Sequence, residues 1–148
     1  MRIIADHLES LHLRHPFVLA PDDGAIPLAK TAAESLGTDF AWFEKTRDKI
    51  TGDVSTSGKD VDLKHRDAVI VDDVISTGRT IANTAQIAKN RGAARVIAAC
   101  AHLLLIGNAK STLRSAGVEE IIGTDSVETE TQPISIAPVL AEALRRIW

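Results

Sequence analysis

Apolar positions recur along this chain in two rhythms. Over residues 2–12, Ile3, Ile4, Leu8 and Leu11 fall on one face at helical spacing. Phe17-Val18-Leu19-Ala20 is then an unbroken apolar run that stops at Pro21, which predicts a buried strand. Helical spacing returns with Ala25, Ile26, Ala29, Ala32, Ala33 and Leu36, and Gly37 stands where a C-cap belongs. Phe40 to Phe43, Ala68 to Val71, Val96 to Ala101 and Val118 to Ile122 predict four further strands. A helix over about 79–91, closed by Gly92, separates the third strand from the fourth. Ile106, Ala109, Leu113 and Ala116 mark another helix, closed by Gly117. Near the end, Pro138 sits where a first helical turn tolerates it, and Leu140, Leu144 and Ile147 face one way.

Strands that alternate with helices, each an unbroken apolar run, predict a mainly parallel α/β sheet covered by helices on both faces. Ligands of such sheets bind beyond the carboxyl ends of the strands. The places to search are therefore those after Ala20, Phe43, Val71 and Ala101. Residues 46–67 break the rhythm, being long, polar and rich in Gly, Ser, Thr, Asp and Lys. They predict a functional or mobile loop inside one domain spanning 1–148.

Composition narrows the function classes. Apolar residues make up 45% of 148, enough for a packed core. A net charge of -3 argues against a general nucleic-acid or membrane surface. Cys100 is the one cysteine, so no internal disulfide or cysteine-built zinc site forms, in keeping with a cytoplasmic location. There is no apolar run of about 18 residues and no signal-peptide pattern.

The chemistry concentrates in Val69-Ile70-Val71-Asp72-Asp73-Val74-Ile75-Ser76-Thr77-Gly78-Arg79-Thr80. It reads as strand, turn, helix. The N–H groups that open a helix have no intrahelical partner and lie at the positive end of its dipole, so a phosphate is stabilised there. Gly78 permits close backbone approach, and Ser76, Thr77 and Thr80 offer hydroxyls. Asp72 and Asp73, at the rim, are suited to sugar hydroxyls or a hydrated divalent cation. A pentose 5-phosphate satisfies both halves. The usual G-x-x-x-x-G-K-[ST] and paired-glycine nucleotide signatures are absent.

This stretch resembles the phosphoribosyl pyrophosphate motif of the type I phosphoribosyltransferase fold. Leu19 to Gly24, Phe43 to Arg47, Ala101 to Ala109 and Ile136 to Leu144 resemble, in the same order, the C-terminal domain of archaeal-type ribose-phosphate pyrophosphokinases. The resemblance implies a Mg²⁺-dependent transfer of the β,γ-diphosphoryl group of ATP to the 1-hydroxyl of ribose 5-phosphate, giving phosphoribosyl pyrophosphate and AMP. By it, Asp72 and Asp73 hold the ribose hydroxyls, and Ser76, Thr77, Gly78 and Thr80 hold the 5-phosphate. Asp22, Asp23 and Gly24 belong to the pyrophosphate region, with Asp22 as the metal ligand. Lys45 and Arg47 become catalytic cations on a flexible loop over 46–67 that closes on the substrates. The family forms symmetric oligomers, so a homo-oligomer is expected, with no nucleic-acid or membrane partner. Arg79 departs from the family, which often has a small residue there.

Several positions keep a structural alternative. Asp22 or Asp23 would serve as a helix N-cap. His102 either reaches the pocket or is a buried, hydrogen-bonded histidine, and Asp125 either lines the site or caps a turn. His7, His12 and His15 read as surface residues. The family also carries an N-terminal domain of the same fold, so the chain is expected to correspond to about half of an enzyme. Two alternatives stay open: a stand-alone phosphoribosyltransferase, and a non-catalytic sugar-phosphate module.

Overall fold

The computed structural model describes residues 2–47, 54–58, 61–129 and 133–147, with only the backbone of 44–47 and 54–58. In chain order the elements are α1 (Arg2–Ser10), β1 (Phe17–Ala20), α2 (Ile26–Leu36), β2 (Phe40–Arg47), β3 (Val54–Gly58), β4 (Asp67–Ile75), α3 (Arg79–Asn90), β5 (Arg95–Leu103), α4 (Ala109–Ser115), β6 (Glu120–Ile122) and α5 (Ala137–Ile147). The sheet runs β3-β2-β1-β4-β5-β6. Every pairing is parallel except β2 with β3, which are antiparallel.

Alternation of side chains across the strands divides the core into two layers. Val18, Ala20, Val69, Val71, Ile97 and Ala99 point to one face, where Ile4 and Leu8 of α1 and the alanines of α2 cover them. Leu19, Ile70, Ala98 and Cys100 point to the other, under Ile81, Ala85 and Ala88 of α3 and Leu113 of α4. Small residues on α2 (Ala29, Ala32, Ala33) let that helix lie close to the sheet. Gly37 ends α2 in the left-handed region at φ 61°, and the N–H of Thr38 bonds back to the Ala33 carbonyl at 3.0 Å.

Two sequence expectations change here. β4 runs on to Ile75 and β5 to Leu103, past the apolar runs that announced them. The register continues through Asp72↔Cys100, Val74↔His102 and Ile75↔Leu103, because backbone pairing does not require apolar side chains. The polar stretch 46–67 also holds regular structure: Thr46 and Arg47 complete β2, and Val54–Gly58 returns as β3. Residues 48–53 and 59–60 of that stretch lie outside the described residues. α5 forms where Pro138 and the apolar spacing place it, but none of its residues is buried, and Leu140 and Leu144 are 54% and 56% exposed. Among the described residues, no helix is long and apolar enough to cross a membrane.

Candidate functional site

β1 leads outward to β2 on one side, and the chain returns to β4 on the other, so the strand order reverses between β1 and β4. That switch point is where a parallel sheet opens a crevice beyond its carboxyl ends. β1 stops at Ala20 while β4 continues to Ile75, so the last residues of β4 extend past the end of their neighbour. Asp72 and Asp73 lie on this extension, and Asp22 follows β1 across the crevice.

Asp72 is half-buried, and its carboxyl is pushed up from 3.8 to about 6. Burial is the main cause; the charges of Asp22 and Asp73 act in the same direction, against the N–H of Asp73, which donates to Asp72 Oδ1 at 2.9 Å. The Asp22 charge thus acts on Asp72 although the two are 50 positions apart in sequence. The consequence for stability has a definite sign. A carboxyl whose folded value exceeds its unfolded one contributes stability that is complete below about pH 4 and lost as pH rises through about 6. Asp72→Asn does not titrate. Its melting temperature relative to wild type is therefore expected to climb between pH 4 and 6 and level off above. A difference independent of pH in thermal melts would mean that Asp72 is not held in this environment.

Pro21 leads into a short 3₁₀ turn, Asp23–Ala25, before α2 begins. The N–H of Ile26 bonds to the carbonyl of Asp23, and neither the turn nor α2 has a side-chain cap. The capping alternative for Asp22 and Asp23 therefore does not apply: the 3₁₀ turn satisfies these N–H groups with backbone carbonyls. Asp22 adopts extended backbone (φ -158°). Gly24 sits beside its carboxylate, since a Cβ there would stand 3.2 Å from Asp22 Oδ1.

Beyond β4, Ser76 to Thr80 wrap a hollow of about 110 Å³ whose lining also includes Asp72. Gly78 is left-handed (φ 75°) and accepts the N–H of Ala82 at 2.8 Å as α3 begins. A Cβ on Gly78 would stand 3.0 Å from Leu113 Cγ and 3.4 Å from the Ala109 carbonyl. Both the conformation and the packing against α4 therefore require glycine. Arg79 is exposed in the first turn of α3.

Sequence reasoning missed what holds this turn in place. The N–H groups of Leu104 and Leu105 bond to the Ile75 carbonyl, at 3.0 and 3.1 Å, and that of Ile106 bonds to the Ser76 carbonyl at 3.0 Å. The segment after β5 thus braces the segment after β4. Only its position after a strand signalled this, because backbone bonds leave no side-chain signature.

His102 is exposed, not buried, and its Nδ1 lies 2.8 Å from Ser126 Oγ. The hydroxyls of Thr124 and Ser126 both donate to the Ala101 carbonyl, fastening the end of β5. Asp125 is a turn residue: its carboxylate accepts the N–H of Ile136 at 2.8 Å, and this bond is the main reason its pKa falls. His12 and His15 are exposed. The backbone of Lys45 and Arg47 lies in β2, paired with Thr56 and Val54.

Three carboxylates around one crevice supply hard oxygen donors suited to a hydrated divalent cation. Among the described residues, no group of three or more His, Cys, Asp or Glu could cage a metal. A cation held by one or two of these carboxylates would keep most of its coordinated water.

Residues 1–137 match the Phosphoribosyl transferase domain, and the chain belongs to that family. Its sequence is 42% identical over 134 residues to the ribose-phosphate pyrophosphokinase of Sulfolobus acidocaldarius, covering 90% of this chain and 46% of that one. The enzyme of the same name from Methanothermobacter thermautotrophicus is 38% identical over 146 residues, covering 98% and 50%. In structure, the phosphoribosylpyrophosphate synthetase of Mycobacterium smegmatis superposes with a TM-score of 0.81 at 29% identity, over 99% of this chain and 49% of that one. The chain thus spans about half the length of the relatives it matches.

Proposed function

We propose that this domain binds ribose 5-phosphate and serves as the acceptor side of a ribose-phosphate diphosphokinase. The observation that carries this is the continuity of one segment. Strand β4 presents Asp72 and Asp73 at the switch point, and the turn that follows presents the Ser76–Thr80 hollow at the head of α3. A ligand with hydroxyls at one end and a phosphate at the other spans both. The names of the relatives supply the reaction: each is a pyrophosphokinase of ribose phosphate.

In this reading the 5-phosphate accepts backbone N–H bonds from the start of α3 and hydroxyl bonds from Ser76, Thr77 and Thr80. Asp72 and Asp73 accept the ribose hydroxyls and so fix the sugar with its 1-hydroxyl toward Asp22. The 1-oxygen of the sugar attacks the β-phosphorus of ATP and loses its proton. The bond from that phosphorus to the oxygen shared with the α-phosphate breaks, and AMP leaves. Asp22, with Asp72 and Asp73 nearby, would hold Mg²⁺, which when bound would neutralise phosphoryl charge. Asp23 and Gly24 border the pyrophosphate. Lys45 and Arg47 supply further cations, and the 46–67 segment excludes water from the donor.

The test is to incubate the chain with ribose 5-phosphate, ATP and Mg²⁺ and to measure AMP together with phosphoribosyl pyrophosphate. Equal amounts of both are expected if the chain assembles the whole site. Ribose 5-phosphate bound without AMP would confine the role to the acceptor side. If ribose 5-phosphate fails to bind, the proposal is wrong.

A further inference from the structure

At the opposite edge of the sheet, where β1, β2 and β4 begin, three turns meet. They contribute Leu13–Pro16, Leu36–Thr38 and His65–Arg66 to the wall of a concavity of about 600 Å³. Its charged and titratable lining is Arg14, His15, His65 and Arg66, with no carboxylate among them. The charge balance is the reverse of that at the other edge, where Asp22, Asp72 and Asp73 gather.

The two arginines are held differently. Arg66 donates from Nε to the His15 carbonyl (2.9 Å) and from Nη2 to the Pro16 carbonyl (2.8 Å), and lies over the Phe17 ring at 4.7 Å. These contacts fix the guanidinium and leave its Nη1 edge without an acceptor among the described residues. Arg14 is anchored through its backbone: its N–H donates to Asp67 Oδ2 at 2.9 Å, and its carbonyl accepts the N–H of Asp67 at 3.0 Å. Its guanidinium makes no bond among the described residues. Asp67 does not neutralise it, because Asp67 is buried and its carboxylate lies 3.3 Å from Arg95. Asp39 is exposed beside the lining residue Thr38, and Glu9 and Asp62 are, after Asp67, the carboxylates next in sequence to Arg14 and Arg66; none of the three lines the concavity.

Both histidines hold left-handed backbone, at φ 45° for His15 and 61° for His65. Such strain persists only where surrounding contacts impose it, and it gathers at ligand clamps. Here the His15 carbonyl is tied to Arg66, and the His65 N–H donates to the Gly92 carbonyl at 3.2 Å. A wall with two arginines and no carboxylate in its lining, beside apolar Leu13, Pro16 and Leu36, favours a ligand with a compact anionic end and a carbon body.

We propose that this concavity binds a small phosphate monoester, with its phosphate on the guanidinium of Arg14 and the open edge of Arg66 and its organic body on Leu13, Pro16 and Leu36. The site is separate from the β4–α3 crevice and does not depend on the function assigned there.

The probe is phenyl phosphate, titrated into the ¹⁵N-labelled chain and followed by amide shifts. Saturable shifts are expected at Gly37, Thr38 and His65. They should persist in Thr77→Ala, which impairs the other crevice, and weaken at least about tenfold in Arg14→Gln, the loss of one charge-assisted bond. Arg14→Glu, which reverses the charge, should abolish them. Affinity unchanged in both Arg14 variants, or shifts confined to residues 76–81, would overturn the site. Inorganic phosphate binding as tightly as phenyl phosphate would overturn the assignment of an ester, and displacement by a short RNA at lower phosphate concentration that of a small molecule.

Discussion

Gly78→Val is expected to weaken ribose 5-phosphate binding by about 100-fold or more while leaving the sheet folded. The residue sits at φ 75°, where a β-branched side chain is strained, and a left-handed L-residue costs about 1–2 kcal/mol before any contact is counted. Its Cβ would also meet Leu113 Cγ at 3.0 Å and the Ala109 carbonyl at 3.4 Å. Relief requires the turn to move away from α4, and moving it misdirects the N–H groups proposed to hold the phosphate. Losing two charge-assisted bonds at roughly 1.5–3 kcal/mol each gives the stated factor. Calorimetry measures the affinity, and circular dichroism checks the fold. Since Gly78→Val carries a risk of misfolding, Thr77→Ala provides a milder second variant, expected to lose about tenfold. Full affinity in both would remove the turn from the site.

Lys45→Ala is expected to lower kcat by about 100- to 1,000-fold with the dissociation constant of ribose 5-phosphate unchanged, in whichever assembly is active. Phosphoryl transfer is accelerated chiefly by positioning and by cations on the transferring group, and removing one such preorganised group costs about this factor. The backbone placement is consistent with this. Lys45 lies in β2, two residues beyond Phe43, on the part of the strand that extends past its pairing with β1. It pairs with Thr56 in the β2–β3 hairpin. A cation that acts on the diphosphate alone affects turnover and not the sugar. Steady-state kinetics together with calorimetry separate the two. Normal kcat would make the catalytic role wrong, and a matching loss of sugar affinity would make Lys45 a binding residue.

The strand-turn-helix around Asp72 to Thr80 was legible from sequence because its parts are contiguous. An apolar run, two acids, a small polar turn and a helix of regular period all fall within a dozen residues. Asp22 was legible only through resemblance, since nothing local separates it from a helix cap. The bracing of the turn by Leu104, Leu105 and Ile106 was not legible at all, because those bonds run from backbone to backbone between the segments that leave β4 and β5. The ends of β4 and β5 were hidden for the opposite reason. Asp72 to Val74 in β4 and His102 in β5 are exposed or half-buried and interrupt the apolar run before buried Ile75 and Leu103, and periodicity detects burial, not pairing.

From sequence alone came the alternation of strands and helices, the α/β class, and the strand-turn-helix segment with two acids before its turn. Each depends on the period and chemistry of neighbouring residues. Tertiary structure decided what distant residues do together. It placed β1 beside β4, so that burial and the charges of Asp22 and Asp73 raise Asp72 to about 6. It put Leu113 of α4 against Gly78, and it gathered Arg14, His15, His65 and Arg66 at the far edge of the same strands. Strand order and register are set by packing summed over the whole sheet, so side chains 50 positions apart become neighbours without a local signal in the sequence.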